Sequence, residues 1–109
     1  MTIESIHPDD FQNEIWDTNT ILIDVRTKEE KEKFWYIENT DLFLNMYEEN
    51  FFATLWKLEK NKRYLIYCWH ANRTWFLLNF MKNSWFEYVK DLLWWTENWE
   101  NSWLPLIKD

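Results

Sequence analysis

The chain has 109 residues, and its 19 acidic against 12 basic side chains give a formal net charge of −7. This length predicts one domain over residues 1–109 with a sizeable core, and the negative charge argues against a nucleic-acid partner. The longest apolar run, Tyr64 to Trp69, is too short to cross a bilayer, so no membrane partner is expected.

The first part of the chain predicts strands separated by helices. Thr2–Ile6 alternates weakly, as a short edge strand would, and a helix is expected from Pro8 to about Trp16. Ile21–Val25 is a largely β-branched run, typical of a strand that is buried on both faces of a parallel sheet. The charged run Lys28–Lys33 predicts a solvated helix.

The second part continues this alternation. We expect a strand at Asp41–Asn45, a helix at Glu48–Leu58, the central strand at Arg63–Tyr67, a helix at Asn72–Lys82, a strand at Phe86–Leu92, and a short helix through Trp99 that leads to Leu104–Ile107. Alternating elements with short links predict an α/β fold, with a central parallel sheet of four or five strands and helices on both faces.

The only cysteine, Cys68, stands where the central apolar run ends and a loop begins. A helix follows the loop, so backbone N–H groups and the positive end of the helix would converge on the sulfur. Such surroundings favour a thiolate nucleophile with a pKa below the ordinary value of about 8.5. A lone cysteine after a strand is also commonly an inert packed residue. A single cysteine cannot form an internal disulfide, and with two histidines far apart in sequence a zinc site is not expected. The first residues contain no apolar leader segment, so secretion is not expected and a cytoplasmic protein is favoured.

The loop residues after Cys68 have alternative interpretations. Arg73 is either a cation that binds a donor anion or a solvated first-turn arginine, and Asn72 is expected to cap the helix. The hydroxyl of Thr74 either caps the helix or donates to the sulfur. His70 is a loop donor or an exposed residue, and Trp69 lies where it can overhang the sulfur. At the end of another strand, Asp24 and Arg26 are interpreted mainly as an ion pair or loop brace.

In combination these pieces resemble the rhodanese family of sulfurtransferases. The resemblance rests on four segments in order: Asp24-Val25-Arg26 with Thr27, Tyr67-Cys68, the six-residue loop Cys68–Arg73 with Thr74, and the tail from Asp91-Leu92 through Trp99 to Pro105. It implies a rhodanese-like domain in which Cys68 carries a persulfide, the loop amides hold it, and Arg73 attracts an anionic donor such as thiosulfate. A thiol or cyanide would accept the sulfur, without a metal or organic cofactor. The cysteine phosphatases use a loop one residue longer, which makes phosphatase activity the weaker alternative.

The chain has no glycine and ten tryptophans, whereas roughly 7% glycine is usual. Where the rhodanese family usually has glycine, this chain has Trp35, Ala71, Trp85, Trp94-Trp95 and Trp103. Glycine in the cysteine loop would allow a positive φ that alanine adopts only at a cost.

The missing glycines suggest a second hypothesis, that the chain is an engineered or de novo designed scaffold with the rhodanese fold and little or no activity. A weaker third possibility is a binding module with an aromatic surface. Trp16, Trp56 and Trp75 lie within predicted helices and are expected to pack there. Tryptophans at former turn positions are expected on the surface, where they would favour self-association.

Overall fold

Helices lie between several of the successive strands, as the sequence predicts. The structure, a computed structural model, describes residues 2–17, 19–27, 29, 36–68, 71–92 and 106–107. Its elements are β1 (Thr2–Ile6), α1 (Pro8–Ile15), β2 (Thr20–Asp24), β3 (Tyr36–Ile37), β4 (Leu42–Phe43), α2 (Phe51–Trp56), β5 (Arg63–Tyr67), α3 (Ala71–Asn83), β6 (Tyr88–Leu92) and β7 (Leu106–Ile107).

Five strands form one parallel sheet in the order β1-β6-β5-β2-β4, which confirms the predicted α/β architecture. The register pairs Asp24 of β2 with Tyr67 of β5, and Ile66 of β5 with Asp91 of β6. Strands β3 and β7 were not predicted from the sequence, and they form a separate antiparallel pair of two residues each.

Both faces of the sheet are buried, which explains why β2 and β5 consist of nearly continuous apolar runs. On one face, strand residues including Ile66 and Cys68 pack with Leu55 of α2 and Leu77 of α3. On the other face, Leu65 and Tyr67 of β5 pack in a cluster with Phe11 of α1.

Several element boundaries differ from the predicted ones. The helix predicted at Glu48–Leu58 is limited to α2, and the strand predicted at Asp41–Asn45 is limited to the two residues of β4 that pair with β2. The strand predicted from Phe86 begins only at Tyr88. The helices predicted at Lys28–Lys33 and near Trp99 lie outside the described residues, apart from Glu29, which is helical.

The end of α3 explains the late start of β6. The N–H of Phe86 bonds to the Met81 carbonyl at 3.2 Å, and the N–H of Trp85 bonds to the Lys82 carbonyl at 3.4 Å. This pair of bonds is a Schellman motif, in which the residue after the helix takes a left-handed conformation. Trp85 has φ 72°, so an indole stands where the motif favours glycine, and Phe86 closes the motif against Met81 with both side chains buried.

A polar network lies at the amino edge of the sheet, on the face that α1 covers. The Glu14 carboxylate accepts hydrogen bonds from Lys90 Nζ (2.8 Å), from Arg63 (3.2 Å) and from the Tyr88 hydroxyl. Lys90 also pairs with Glu4 at 3.3 Å. Strands β1, β5 and β6 are therefore connected to α1 by charged contacts as well as by apolar packing.

The expectation that Trp16, Trp56 and Trp75 pack within their helices is wrong, because their exposed fractions are 60%, 51% and 65%. Trp85 is 75% exposed, as expected for a tryptophan at a turn, while Trp35, Trp94, Trp95 and Trp103 lie outside the described residues. Self-association through these side chains stays a prediction. Among the described helices, none has the length and apolar character needed to cross a membrane.

Candidate active site at the carboxyl edge of the sheet

The order of the strands creates a topological switch point at the carboxyl ends of β2 and β5. After β2 the chain proceeds outward to the edge strand β4, whereas after β5 it crosses through α3 to β6 on the other side. The two connections leave neighbouring strands in opposite directions, and open α/β sheets bind ligands at such a switch point. Cys68 directly follows β5 and Val25 directly follows β2, so both residues lie at this switch point.

Cys68 is buried, with 1% of its surface exposed, in the apolar cluster that includes Val25 and Leu77. Helix α3 begins three residues later, at Ala71, and its first N–H groups point toward this edge of the sheet. Apolar burial disfavours a thiolate, whereas a helix N-terminus favours one. The site therefore combines two opposing influences on the same sulfur.

The predicted ion pair of Asp24 and Arg26 is present and buried at the carboxyl end of β2, beside Tyr67. Arg26 donates from Nε and from its terminal nitrogen to the Asp24 carboxylate at 2.9 to 3.1 Å, and its backbone N–H bonds to the same carboxylate at 2.9 Å. The two side chains are 1% and 0% exposed. These bonds fix the bend after β2, so the pair acts as the loop brace that the sequence suggested.

Tyr67 is a contributor that the sequence analysis did not single out. The Ile37 N–H donates to the Tyr67 hydroxyl at 3.2 Å, and the hydroxyls of Tyr67 and Thr40 lie 2.9 Å apart. Thr40 donates its own proton to the Ile37 carbonyl at 2.6 Å, which leaves Tyr67 as the donor to Thr40. Burial raises the pKa of the Tyr67 phenol, and the nearby charge of Asp24 raises it further, so the hydroxyl keeps its proton. The sequence contained one sign of this role: Tyr67 is a tyrosine within an otherwise apolar predicted strand, and a buried tyrosine hydroxyl usually needs a hydrogen-bond partner.

Tyr67 connects three parts of the site. Its ring lies under the Arg26 guanidinium, with 5.7 Å between the guanidinium carbon and the ring centroid. Its hydroxyl reaches the turn at Ile37 and Thr40, and its peptide bond leads directly to Cys68. The phenol therefore holds the end of β5 against both neighbouring segments.

The cysteine loop is shorter than predicted. Ala71, Asn72, Arg73 and Thr74 form the first turn of α3, and only their backbone is described. Ala71 does not take the left-handed conformation that glycine would allow there, because a residue that begins an α-helix has helical dihedral angles. The connection between Cys68 and the helix consists of Trp69 and His70, which lie outside the described residues.

Two surface clefts are present in the described part of the chain, and Cys68 lines neither. The cleft at the amino edge has a volume of about 380 Å³ and is lined by Asn19, Ile21, Asn61, Lys62 and Arg63. The other, of about 180 Å³, is lined by Phe43, Leu44, Asn45, Glu48, Asn50, Phe51 and Thr54. No group of three or more described histidine, cysteine, aspartate or glutamate residues is arranged to hold a metal ion.

The fold and the site define an α/β domain with a single cysteine at the switch point of a five-stranded parallel sheet. The sequence profile of the Rhodanese-like domain matches residues 7–102, and the chain belongs to this family. A comparison with curated proteins found no match.

Solved structures share this fold. A rhodanese-related protein from Thermoplasma volcanium is 22% identical with a TM-score of 0.72, over 97% of this chain and 99% of that one. The polysulfide-sulfur transferase homodimer from Wolinella succinogenes is 18% identical with a TM-score of 0.77, over 98% and 80% of the two chains. A rhodanese-like domain protein from Staphylococcus aureus is 25% identical with a TM-score of 0.63, over 79% and 81%.

Proposed function

We propose that this domain transfers sulfane sulfur through a persulfide on Cys68. The observation that carries the proposal is the position of this cysteine at the switch point between β2 and β5, three residues before α3. Membership in the Rhodanese-like family relates the chain to sulfurtransferases and supports the same chemistry.

The reaction has two balanced steps. The Cys68 thiolate attacks the outer sulfur of thiosulfate, so that a sulfur–sulfur bond forms to Cys68 while the bond to the sulfonate breaks and sulfite leaves. A thiol or cyanide then attacks the outer sulfur of the persulfide and takes it, which regenerates the thiolate. Neither step requires a general base, a metal or an organic cofactor.

The protein's part in this reaction is to stabilise anions. The first N–H groups of α3 and the helix dipole favour a negative persulfide at Cys68. In our proposal Arg73 attracts the anionic donor, Thr74 donates to the sulfur, and Trp69, His70, Ala71 and Asn72 complete the anion-binding loop. Asp24 and Arg26 support the site from the neighbouring strand.

A second candidate has support in two observations. Cys68 is 1% exposed, so a donor must displace the side chains that pack on the sulfur, and Trp85 occupies a left-handed position without glycine. Both favour the alternative that the chain is an engineered glycine-free scaffold with the rhodanese fold and little or no activity.

One assay separates the two candidates. The protein is incubated with thiosulfate and cyanide, thiocyanate is measured, and the Cys68→Ser variant is the control. The sulfurtransferase proposal expects turnover in the parent and none in the variant, since serine cannot form a persulfide. Equal rates would exclude Cys68 as the sulfur carrier, and no turnover in a folded parent would favour the scaffold.

Mass spectrometry gives an independent readout of the first step. After thiosulfate treatment, the parent should gain the mass of one sulfur atom, and a thiol should remove it. The Cys68→Ser variant should remain unmodified. A parent that gains no mass while it remains folded would contradict the persulfide.

A further inference from the structure

A second titratable group lies on the same face of the sheet as Cys68. Asp91, in the fourth position of β6, is 2% exposed. Side chains alternate along a strand, and Val89 packs in the cluster that contains Cys68, so the Asp91 carboxylate lies on that face too. Carboxylates are rarely buried so completely, because their charge loses its hydration.

The strand register places Asp91 near the sulfur. Asp91 is the pairing partner of Ile66, and Cys68 lies two residues beyond Ile66 on β5. Parallel strands are about 4.8 Å apart and two residues advance about 6.6 Å, so the Cα atoms of Asp91 and Cys68 are about 8 Å apart. Helix α3 packs on β6 and begins at the carboxyl edge, so its N-terminus is near both groups.

The side chains that face this pair can be named for the part of the chain that the structure describes. Tyr64 shares the face, but its hydroxyl lies at the other end of β5 and bonds to the Glu59 carbonyl. The facing residues of the other described elements are neutral: Ile3 and Ser5 of β1, Ile21 and Ile23 of β2, Phe51 and Leu55 of α2, and Leu77, Leu78 and Met81 of α3. Two basic residues lie on α3. Arg73 is in its first turn, where only the backbone is described, and Lys82 is in its last turn, at the opposite edge of the sheet. His70 lies outside the described residues.

We propose that Asp91 is a positioning residue that restrains the reactivity of Cys68, because its negative charge competes for the same helix N-terminus and opposes formation of the thiolate. For its effect on sulfur transfer, this inference rests on the proposed function. If the two charges are separated by about the distance between the Cα atoms, an effective dielectric constant of about 20 to 40 would shift the thiol titration by about one pH unit. That shift corresponds to about a tenfold change in the thiolate fraction near neutral pH.

The test is a pH titration of the thiolate by its ultraviolet absorbance, which reports on one site because Cys68 is the only cysteine. Asp91→Asn removes the charge and keeps the shape, while Asp91→Val provides an apolar side chain of similar size if the amide prevents folding. Asp10→Asn is the matched control, because Asp10 is exposed on α1, on the other face of the sheet. Both Asp91 variants should lower the pKa of Cys68 by about one unit, and the control should leave it unchanged.

An unchanged thiol titration in a folded Asp91 variant would overturn the inference, even if sulfur transfer is active. Conversely, a lowered pKa without any sulfur transfer would support the charge coupling and count against the proposed function. In an active enzyme, the pH profile of persulfide formation should move to lower pH together with the thiolate titration. A profile that stays in place while the titration moves would overturn the link to catalysis.

Discussion

Titratable side chains at the two edges of the parallel sheet differ in their exposure and in their contacts. At the amino edge, Glu14 receives hydrogen bonds from Lys90, Arg63 and Tyr88, and its side chain remains 16% exposed. At the carboxyl edge, Cys68 and Asp91 are buried to 98% or more within or beside an apolar cluster. At the amino edge, charged contacts connect the elements, whereas the carboxyl edge buries a cysteine at the switch point between β2 and β5 and a carboxylate on the neighbouring strand β6.

Helix α3 runs from the carboxyl edge to the amino edge, and its two ends differ in backbone conformation. The resemblance led us to expect glycine-like positions at Ala71 and at Trp85. Of these two residues, Trp85 at the amino edge has a positive φ, while Ala71 is the first residue of the helix that follows Cys68. The absence of glycine therefore strains the structural end of the helix and leaves the candidate catalytic end helical.

The largest expected effect concerns Phe86, which closes α3 at the amino edge. Phe86 is fully buried, and its ring packs edge-on against Tyr64 at 5.5 Å. Phe86→Ala should lower the free energy of unfolding by about 3–5 kcal/mol, because a large core side chain leaves a cavity. Urea unfolding at neutral pH measures the change.

Phe76→Ala is the matched control for this variant. Phe76 lies in the same helix, but it is 54% exposed and makes a ring contact with Phe52 at 6.0 Å. Its replacement should cost much less than that of Phe86. Equal losses would show that the surface of α3 stabilises the fold as much as its buried end.

The next effect concerns the charges at the amino edge. Burial raises the pKa of Glu14, but the hydrogen bonds from Lys90 and Tyr88 outweigh burial, and the pKa falls below its usual 4.5. For Lys90, burial lowers the pKa and the hydrogen bond from Glu14 outweighs it, so the pKa is raised. Glu14→Gln should cost about 1–3 kcal/mol at neutral pH, since a charged hydrogen-bond acceptor is lost.

The pH dependence of unfolding checks this assignment. A lowered carboxyl pKa contributes stability above pH 4.5 that is lost as the pH falls through the native value. The raised Lys90 pKa contributes stability below its ordinary 10.5 that is lost as the pH rises through the native value. Glu14→Gln should therefore lose less stability than the parent on acidification. A parallel loss in both proteins would mean that other carboxylates control the acid response.

Trp85→Gly should stabilise the protein by about 1–2 kcal/mol, because glycine takes the left-handed conformation without a Cβ clash. Differential scanning calorimetry measures the gain as a higher Tm. Trp85→Ala removes the indole but keeps the Cβ, so it should gain little. If alanine stabilises as much as glycine, the cost lies in the exposed ring and not in the backbone.

The sequence was sufficient to predict the fold and the position of Cys68, because two-sided burial imposes apolar runs and β5 was predicted with its observed bounds. It could not reveal β3 and β7, since pairs of two residues have no periodicity. The ion pair of Asp24 and Arg26 could be expected because both side chains lie at one strand end.

Other parts of the site depend on tertiary contacts. The hydroxyl bonds of Tyr67 span 30 residues to Ile37 and 27 to Thr40, a separation that no local pattern encodes. In the sequence, Asp91 was noted only as the start of the tail that resembles the rhodanese family. Its burial next to β5, the strand that leads to Cys68, depends on how β6 pairs with β5. The helix that follows Cys68 was predicted from Asn72 and begins one residue earlier, at Ala71, so the sequence did not indicate that Ala71 is helical.

The smallest effect separates the two ends of α3 most directly. Ala71→Gly should lower the free energy of unfolding by at most about 1 kcal/mol, because glycine is a poorer helix former than alanine. The same type of change at Trp85 should stabilise, so the two variants are expected to have opposite signs. Sulfur transfer by Ala71→Gly should not exceed that of the parent, since the first turn of α3 already has helical backbone. Urea unfolding and the thiocyanate assay measure the two properties on the same samples. A faster Ala71→Gly variant would show that the catalytically competent loop takes a left-handed conformation at this residue, and that the helix must open at its first turn before Cys68 can react.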